Sequence, residues 1–110
     1  MTMTAQEEML MMLKKGHISE FNSRTSAGET VALRGADLVG ANLQGLNAQN
    51  LDMRDCHLRH CDLRGIDFSK TRLDGASIIG AKISGALFPT ELRAEEINLS
   101  LVHGTRLRPG

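Results

Sequence analysis

Residues 31–90 read VALRG ADLVG ANLQG LNAQN LDMRD CHLRH CDLRG IDFSK TRLDG ASIIG AKISG ALFPT, twelve pentads with no slip in register. The third residue of each is Leu33, Leu38, Leu43, Ala48, Met53, Leu58, Leu63, Phe68, Leu73, Ile78, Ile83 or Phe88, and every one is apolar. A period of five fits neither an α-helix at 3.6 nor a strand at 2.0. A fixed internal repeat therefore decides the fold before any local propensity does.

Each pentad must present its central side chain to one interior. A chain that bends once per pentad closes after four pentads, and twelve pentads then give three stacked laps of twenty residues. The expected core is Leu38, Leu43, Leu58, Leu63, Phe68, Leu73, Ile78 and Ile83 with their column neighbours. First positions are small or apolar, with Ala36, Ala41, Cys56, Cys61, Ile66, Ala76, Ala81 and Ala86 among them. Leu46 is oversized and Ala48, in the same pentad, undersized, which conserves volume in one close-packed layer. Gly at the fifth position suits a recurring tight turn. Second and fourth positions are mostly polar and are expected to face water. With laps about 4.8 Å apart, Asp52 lies beside Arg72, Asp62 beside Lys82 and Arg54 beside Asp74.

Working outward, residues 4–15 (TAQEEMLMMLKK) read as a helix. Thr4 and Glu7 form a capping box, acids lead, lysines close and Gly16 stops it. A short helical turn is expected over residues 17–24. After Pro89, residues 94–103 look helical, with Ile97 and Leu101 on one face and Gly104 as the stop, and residues 105–110 read as a tail. The organisation is an N-terminal helical cap and leading loop (1–30), the repeat (31–90), and a C-terminal helical cap and tail (91–110).

The pentads ADLVG, ANLQG, CDLRG and ALFPT carry the A-D/N-L-x-x pattern, and the chain thereby resembles the pentapeptide-repeat family. Phe21-Asn22 with Arg24 before the repeat, and FPTELRAEEINLSLVHGTRLR after it, are similar to the capping segments of small bacterial members. The resemblance implies a β-solenoid, a right-handed quadrilateral β-helix of about three coils. It also implies a non-enzymatic protein-protein interaction or scaffold module. A second implication is a DNA mimic that inhibits or protects DNA gyrase, but those relatives resemble long acidic rods. LNAQN, LDMRD and TRLDG depart from the pattern at the first position.

Thirteen Lys and Arg balance thirteen Asp and Glu in 110 residues. No surface of one sign attracts nucleic acid or anionic lipid. Trp and Tyr are absent, so Leu, Ile, Met and Ala must build the core. The apolar run from Met9 to Leu13 is too short for a secretory or membrane segment, and two cysteines do not make a disulfide framework. The expected compartment is the cytoplasm.

One stretch reads as a metal site. Cys56, His57, His60 and Cys61 supply soft sulfur and imidazole ligands close in sequence, as zinc requires. The pentad register opposes it, because both cysteines fall on inward first positions and both histidines on outward ones. No nucleophile elbow, phosphate loop or convergent acid–base pair occurs, so no enzyme activity, cofactor or small-molecule substrate is expected. Arg54, Arg59 and Arg64 point to three different faces, and no aromatics interleave with them for base stacking.

Protein contact remains. Val39, Arg59 and Ile79 share an outward column. Met1, Met3, Met9, Met11 and Met12 crowd the N-terminus, where Met9 and Met12 either plug the repeat or meet a partner through adaptable thioethers. At the other end Phe88, Ile97 and Leu101 are placed to pair across a twofold axis. The expected partner is an unidentified protein, with a homo-oligomer formed through a solenoid end or capping helix.

Overall fold

The computed structural model describes residues 2–110; Met1, counted above with the N-terminal methionines, lies outside the described residues. Three helices form: α1 (Ala5–Lys15), α2 (Ile18–Ser26) and α3 (Ala94–His103). The capping box at Thr4 and Glu7 is present, and Gly16 closes α1 in the left-handed region. The second helix runs beyond the single turn read from residues 17–24, ending at Ser26. The third has the bounds expected of it, and Gly104 is again left-handed.

Between α2 and α3 the backbone returns alongside itself every twenty residues. Six parallel bridges, Asp37 to His57, Asn42 to Asp62, Asp52 to Arg72, His57 to Ser77, Asp62 to Lys82 and Asp67 to Leu87, all carry that offset. The twenty-residue register is thus a property of the structure. We call residues 31–50, 51–70 and 71–90 laps one to three, each with four sides of one pentad. The phenyl rings of Phe68 and Phe88, one lap apart, stack with centroids 5.8 Å from each other.

Extended strands are absent among the described residues, and the bridges stay isolated. The pentad itself explains this departure from the β-helix expectation. Each side pairs for about two residues before the next corner, and a ladder needs a longer uninterrupted run. At the corners the first residue of one pentad donates its N–H to the third carbonyl of the pentad before, as from Ala36 to Leu33 and from Ala81 to Ile78. Such a turn requires positive φ at its third residue in several of its forms. The fifth position supplies it, with Gly at most corners and Asn50, Asp55 and His60 at φ 63°, 61° and 57°.

The second position has an equally local job. The side-chain oxygens of Asp37, Asn42, Asn47, Asp52, Asp62 and Asp67 each accept the backbone N–H two residues on. This is the Asx arrangement that holds a turn without backbone partners. Arg54 and Arg64 then reach back to Asp52 and Asp62 at 2.7 and 2.6 Å. Asp52 and Asp62 therefore pair within their own pentads rather than with Arg72 and Lys82. Two residues along one wall bring the groups within reach without help from the next lap. Arg34 to Asp55, at 3.1 Å, is the bridge that does cross laps.

Ten of the twelve third positions are buried, including Leu38, Leu43, Leu58, Leu63, Phe68, Leu73 and Ile78; Ile83 and Phe88 are half-buried. Cys56, Cys61 and Thr71, all first-position residues, donate to the carbonyls of Leu33, Leu38 and Ala48 one lap below. A buried polar group is tolerated because it is hydrogen-bonded.

Candidate protein-contact surfaces

A stack of laps leaves raw backbone and raw core at both ends. At the N-terminal end the core is sealed. Met9, Leu13 and Phe21 are fully buried, with Met12 and Ile18 close behind. Met9 and Met12, offered above as contact residues, are therefore plugs: α1 turns them onto lap one. Met11 remains exposed on its outer face, and Met3 is exposed just ahead of it. The backbone here is met by two side-chain amides. Gln6 donates to the carbonyl of Ala32 at 2.5 Å and accepts the N–H of Ala32 at 2.9 Å. Asn22 donates to the carbonyl of Gly45 and accepts the N–H of Asn47. A primary amide has the donor and acceptor of a peptide group, so each stands in for part of a lap that is not there.

The C-terminal end is finished along side two and at the corner that leads into it. At that corner the residues read above as a tail meet lap three. Gly75 donates to the carbonyl of Leu107, the N–H of Leu107 donates to Ala76, and the Leu107 side chain is fully buried. On side two, α3 supplies the partners. The Ser100 hydroxyl, buried completely, accepts the N–H of Ile78, and the Leu101 carbonyl accepts that of Gly80. Ser77 donates its hydroxyl to Gly104. Neither Ser100 nor Leu107 was singled out in the sequence. The alternation Arg106-Leu107-Arg108 carried the signal, since it repeats the polar-apolar-polar centre of a pentad.

Sides three and four of lap three have no such cover among the described residues. There Ile83, Ala86 and Phe88 face Ala94, Ile97, Asn98 and Leu101 across an open cleft of about 330 Å³. Ile83, Phe88, Ile97 and Leu101 are half-buried. Ile83 is thus a rim residue rather than the core residue expected, because nothing lies above it. Val102, next to Leu101 on α3, points outward at 57% exposure. The cleft brings together three of the expected contact residues, Phe88, Ile97 and Leu101, and adds Ile83 and Ala86.

The other proposed contact column does not survive as a patch. Val39 is half exposed and Arg59 exposed, but Ile79 is half-buried, with its methyl groups against Gly104. The return of the chain after α3 covers the upper part of the column.

The four metal-ligand types do not converge. Cys56 and Cys61 face the core and donate to backbone carbonyls, while His57 and His60 are exposed. Burial pushes both thiols up to about 11, and a thiolate is the form that binds zinc. The reading through Cys56, His57, His60 and Cys61 is therefore corrected: the side chains stand on opposite faces of one wall. Among the described residues no group of three or more His, Cys, Asp or Glu could hold a metal ion. No helix is long and apolar enough to cross a membrane.

Comparison with protein families matches residues 31–59 and 52–88 to Pentapeptide repeats, in 8 copies. No curated protein and no solved structure matches the chain.

Proposed function

The chain belongs to the pentapeptide-repeat family, and on that premise we propose that it is a non-enzymatic module that binds another protein through the C-terminal end of its repeat. In this reading the laps wind as a right-handed, four-sided β-helix, and α1 with α2 serves as its lid. The family's members are in general non-enzymatic. One observation carries the reading: the apolar cleft between lap three and α3, lined by Ile83, Ala86, Phe88, Ala94, Ile97 and Leu101. Half-covered aliphatic and aromatic groups at the edge of a core are the composition of a contact site. The walls offer no comparable apolar cluster: their second and fourth positions are mostly polar, and Arg54 and Arg64 are matched within their own pentads by Asp52 and Asp62. An even charge balance also leaves the DNA-mimic alternative without a net acidic charge.

The test is a differential one. A photoreactive residue is placed at Leu101, in the cleft, and separately at Val39, on the wall, and each protein is irradiated in its native host. Protein adducts at position 101 alone support the reading. Adducts at 39 alone, or at neither position, remove it. An adduct of twice the chain's mass identifies a homo-oligomer directly.

A further inference from the structure

The uncovered half of lap three is an edge as well as a cleft, and its hydrogen-bonding pattern describes what is missing. On sides three and four, lap two makes five backbone bonds to lap three. Leu63, Gly65 and Phe68 donate to Lys82, Ser84 and Leu87, while Lys82 and Leu87 donate to Cys61 and Ile66. The groups one lap higher are the N–H of Ile83, Gly85 and Phe88 and the carbonyls of Ala81 and Ala86. None of these has a partner among the described residues. The three donors and two acceptors lie beside the side chains of Ile83, Ala86 and Phe88, which line the cleft. An open edge with adjoining apolar surface is a template for strand addition.

The molecule also shows how such an edge is filled. At the corner between sides one and two, a stretch of its own chain takes the place of a fourth lap. It gives Leu107's carbonyl to Gly75, takes Ala76's carbonyl with its own N–H, and buries one leucine between two arginines. We infer that sides three and four accept an extended segment of a partner protein. That segment runs parallel to residues 81–88, completes the five backbone bonds, and drops two apolar side chains, five residues apart, above Ile83 and Phe88. The inference rests on the proposed binding role of this end and names the chemistry of its partner.

Size favours a segment over a folded second copy. Seven residues line the cleft, whereas a stable interface engages about 20–30 residues a side and about 800 Å² per partner. An extended segment draws its hold from main-chain hydrogen bonds and a few pocketed side chains, which this edge provides.

The experiment uses the whole chain and a synthetic peptide with the sequence of residues 61–70, CDLRGIDFSK, in reducing buffer. This is the stretch that occupies sides three and four one lap below the edge. Amide exchange and chemical shifts are read by NMR. The expected result is exchange slowed at least about tenfold at Ile83, Gly85 and Phe88, the mark of newly formed backbone bonds. The same peptide, N-methylated at the residues corresponding to Asp62 and Asp67, loses the two N–H groups that face Ala81 and Ala86 and should give no slowing. Three outcomes overturn the inference: unchanged amides with the first peptide, equal effects from the N-methylated one, or amides already protected by self-association before peptide is added. In each, adducts at position 101 still report separately on whether this end binds protein.

Discussion

The two ends of the repeat meet the same physical demand in different ways. At the N-terminal end α1 and α2 lay Met9, Leu13 and Phe21 over lap one, and the amides of Gln6 and Asn22 meet part of its backbone. At the C-terminal end α3 and the chain after it finish side two and the corner before it with backbone groups and the Ser100 hydroxyl. Sides three and four keep their apolar groups half in water. Sealing a core and satisfying an edge are separate tasks. The first end achieves the sealing completely and the edge only in part, while the second seals sides one and two, satisfies the edge along side two and its leading corner, and does neither on sides three and four. A fold that can close one end this well and leaves half of the other uncovered has a direction, and we place its contact surface accordingly.

The largest expected effect tests the sealing. Phe21 is fully buried beneath lap one, so Phe21→Ala removes a ring and leaves a cavity, at about 3–5 kcal/mol. Leu101 is half-covered at the open cleft; truncating it to Ala deletes less buried surface and leaves no enclosed void, so about 1 kcal/mol or less is expected. Urea denaturation of the two variants measures both. Equal losses would mean that the cleft is as closed as the lid, and the contrast between the ends would fail.

A smaller effect separates the two ways of finishing an edge. Ser100→Ala leaves the buried N–H of Ile78 without an acceptor, which costs about 1–3 kcal/mol. Gln6→Ala removes two bonds from Ala32, but that residue is exposed and water can take the amide's place, so about 1 kcal/mol or less should be lost. The same denaturation midpoints decide it. A larger loss from Gln6 would show that the N-terminal amides, rather than the apolar lid, hold that end together.

The repeat was legible because one constraint, an inward residue every five, outweighs local propensity, and the columns Leu38, Leu58, Ile78 and Leu43, Leu63 follow from it. Both outer helices were legible from their capping residues. What the sequence hid are the places where a group acts for a backbone it does not belong to. Ser100 reads as a polar residue on a helix, and only the approach of α3 to Ile78 makes it an acceptor. Leu107 reads as part of a tail because a single apolar residue has no period. Asp52 and Asp62 do lie beside Arg72 and Lys82, as the twenty-residue offset requires, but their ion pairs go to Arg54 and Arg64, which are nearer along the same wall. Ile83 fits the periodic core rule, yet its exposure depends on what lies above it, which the repeat cannot specify. The open cleft was anticipated in part, through Phe88, Ile97 and Leu101, and the open edge not at all.

The smallest expected effect asks whether the walls between the ends add anything. Hydrogen bonding from the Arg54 guanidinium holds the Asp52 carboxyl down to about 2, from an ordinary 3.8. The carboxyls of Asp62, beside Arg64, and Asp67, beside the Ser69 hydroxyl, are lowered as well. A depressed folded-state pKa means that the native state prefers the carboxylate. Its contribution is therefore complete above the unfolded value near 3.8 and disappears as pH falls toward 2. The pairs lie on the solvent-facing walls, where screening keeps the stabilisation per pair small. Melting temperature should be level from pH 7 to about 5 and then decline. Arg54→Ala should lower it slightly at pH 7 and shrink the decline, because its partner then titrates near the ordinary value in both states. Since these pairs lie on the walls of lap two, Leu101→Ala should leave the shape of the acid limb unchanged. An acid limb that changed with Leu101 would tie the wall charges to the open end and merge two regions that the geometry keeps apart.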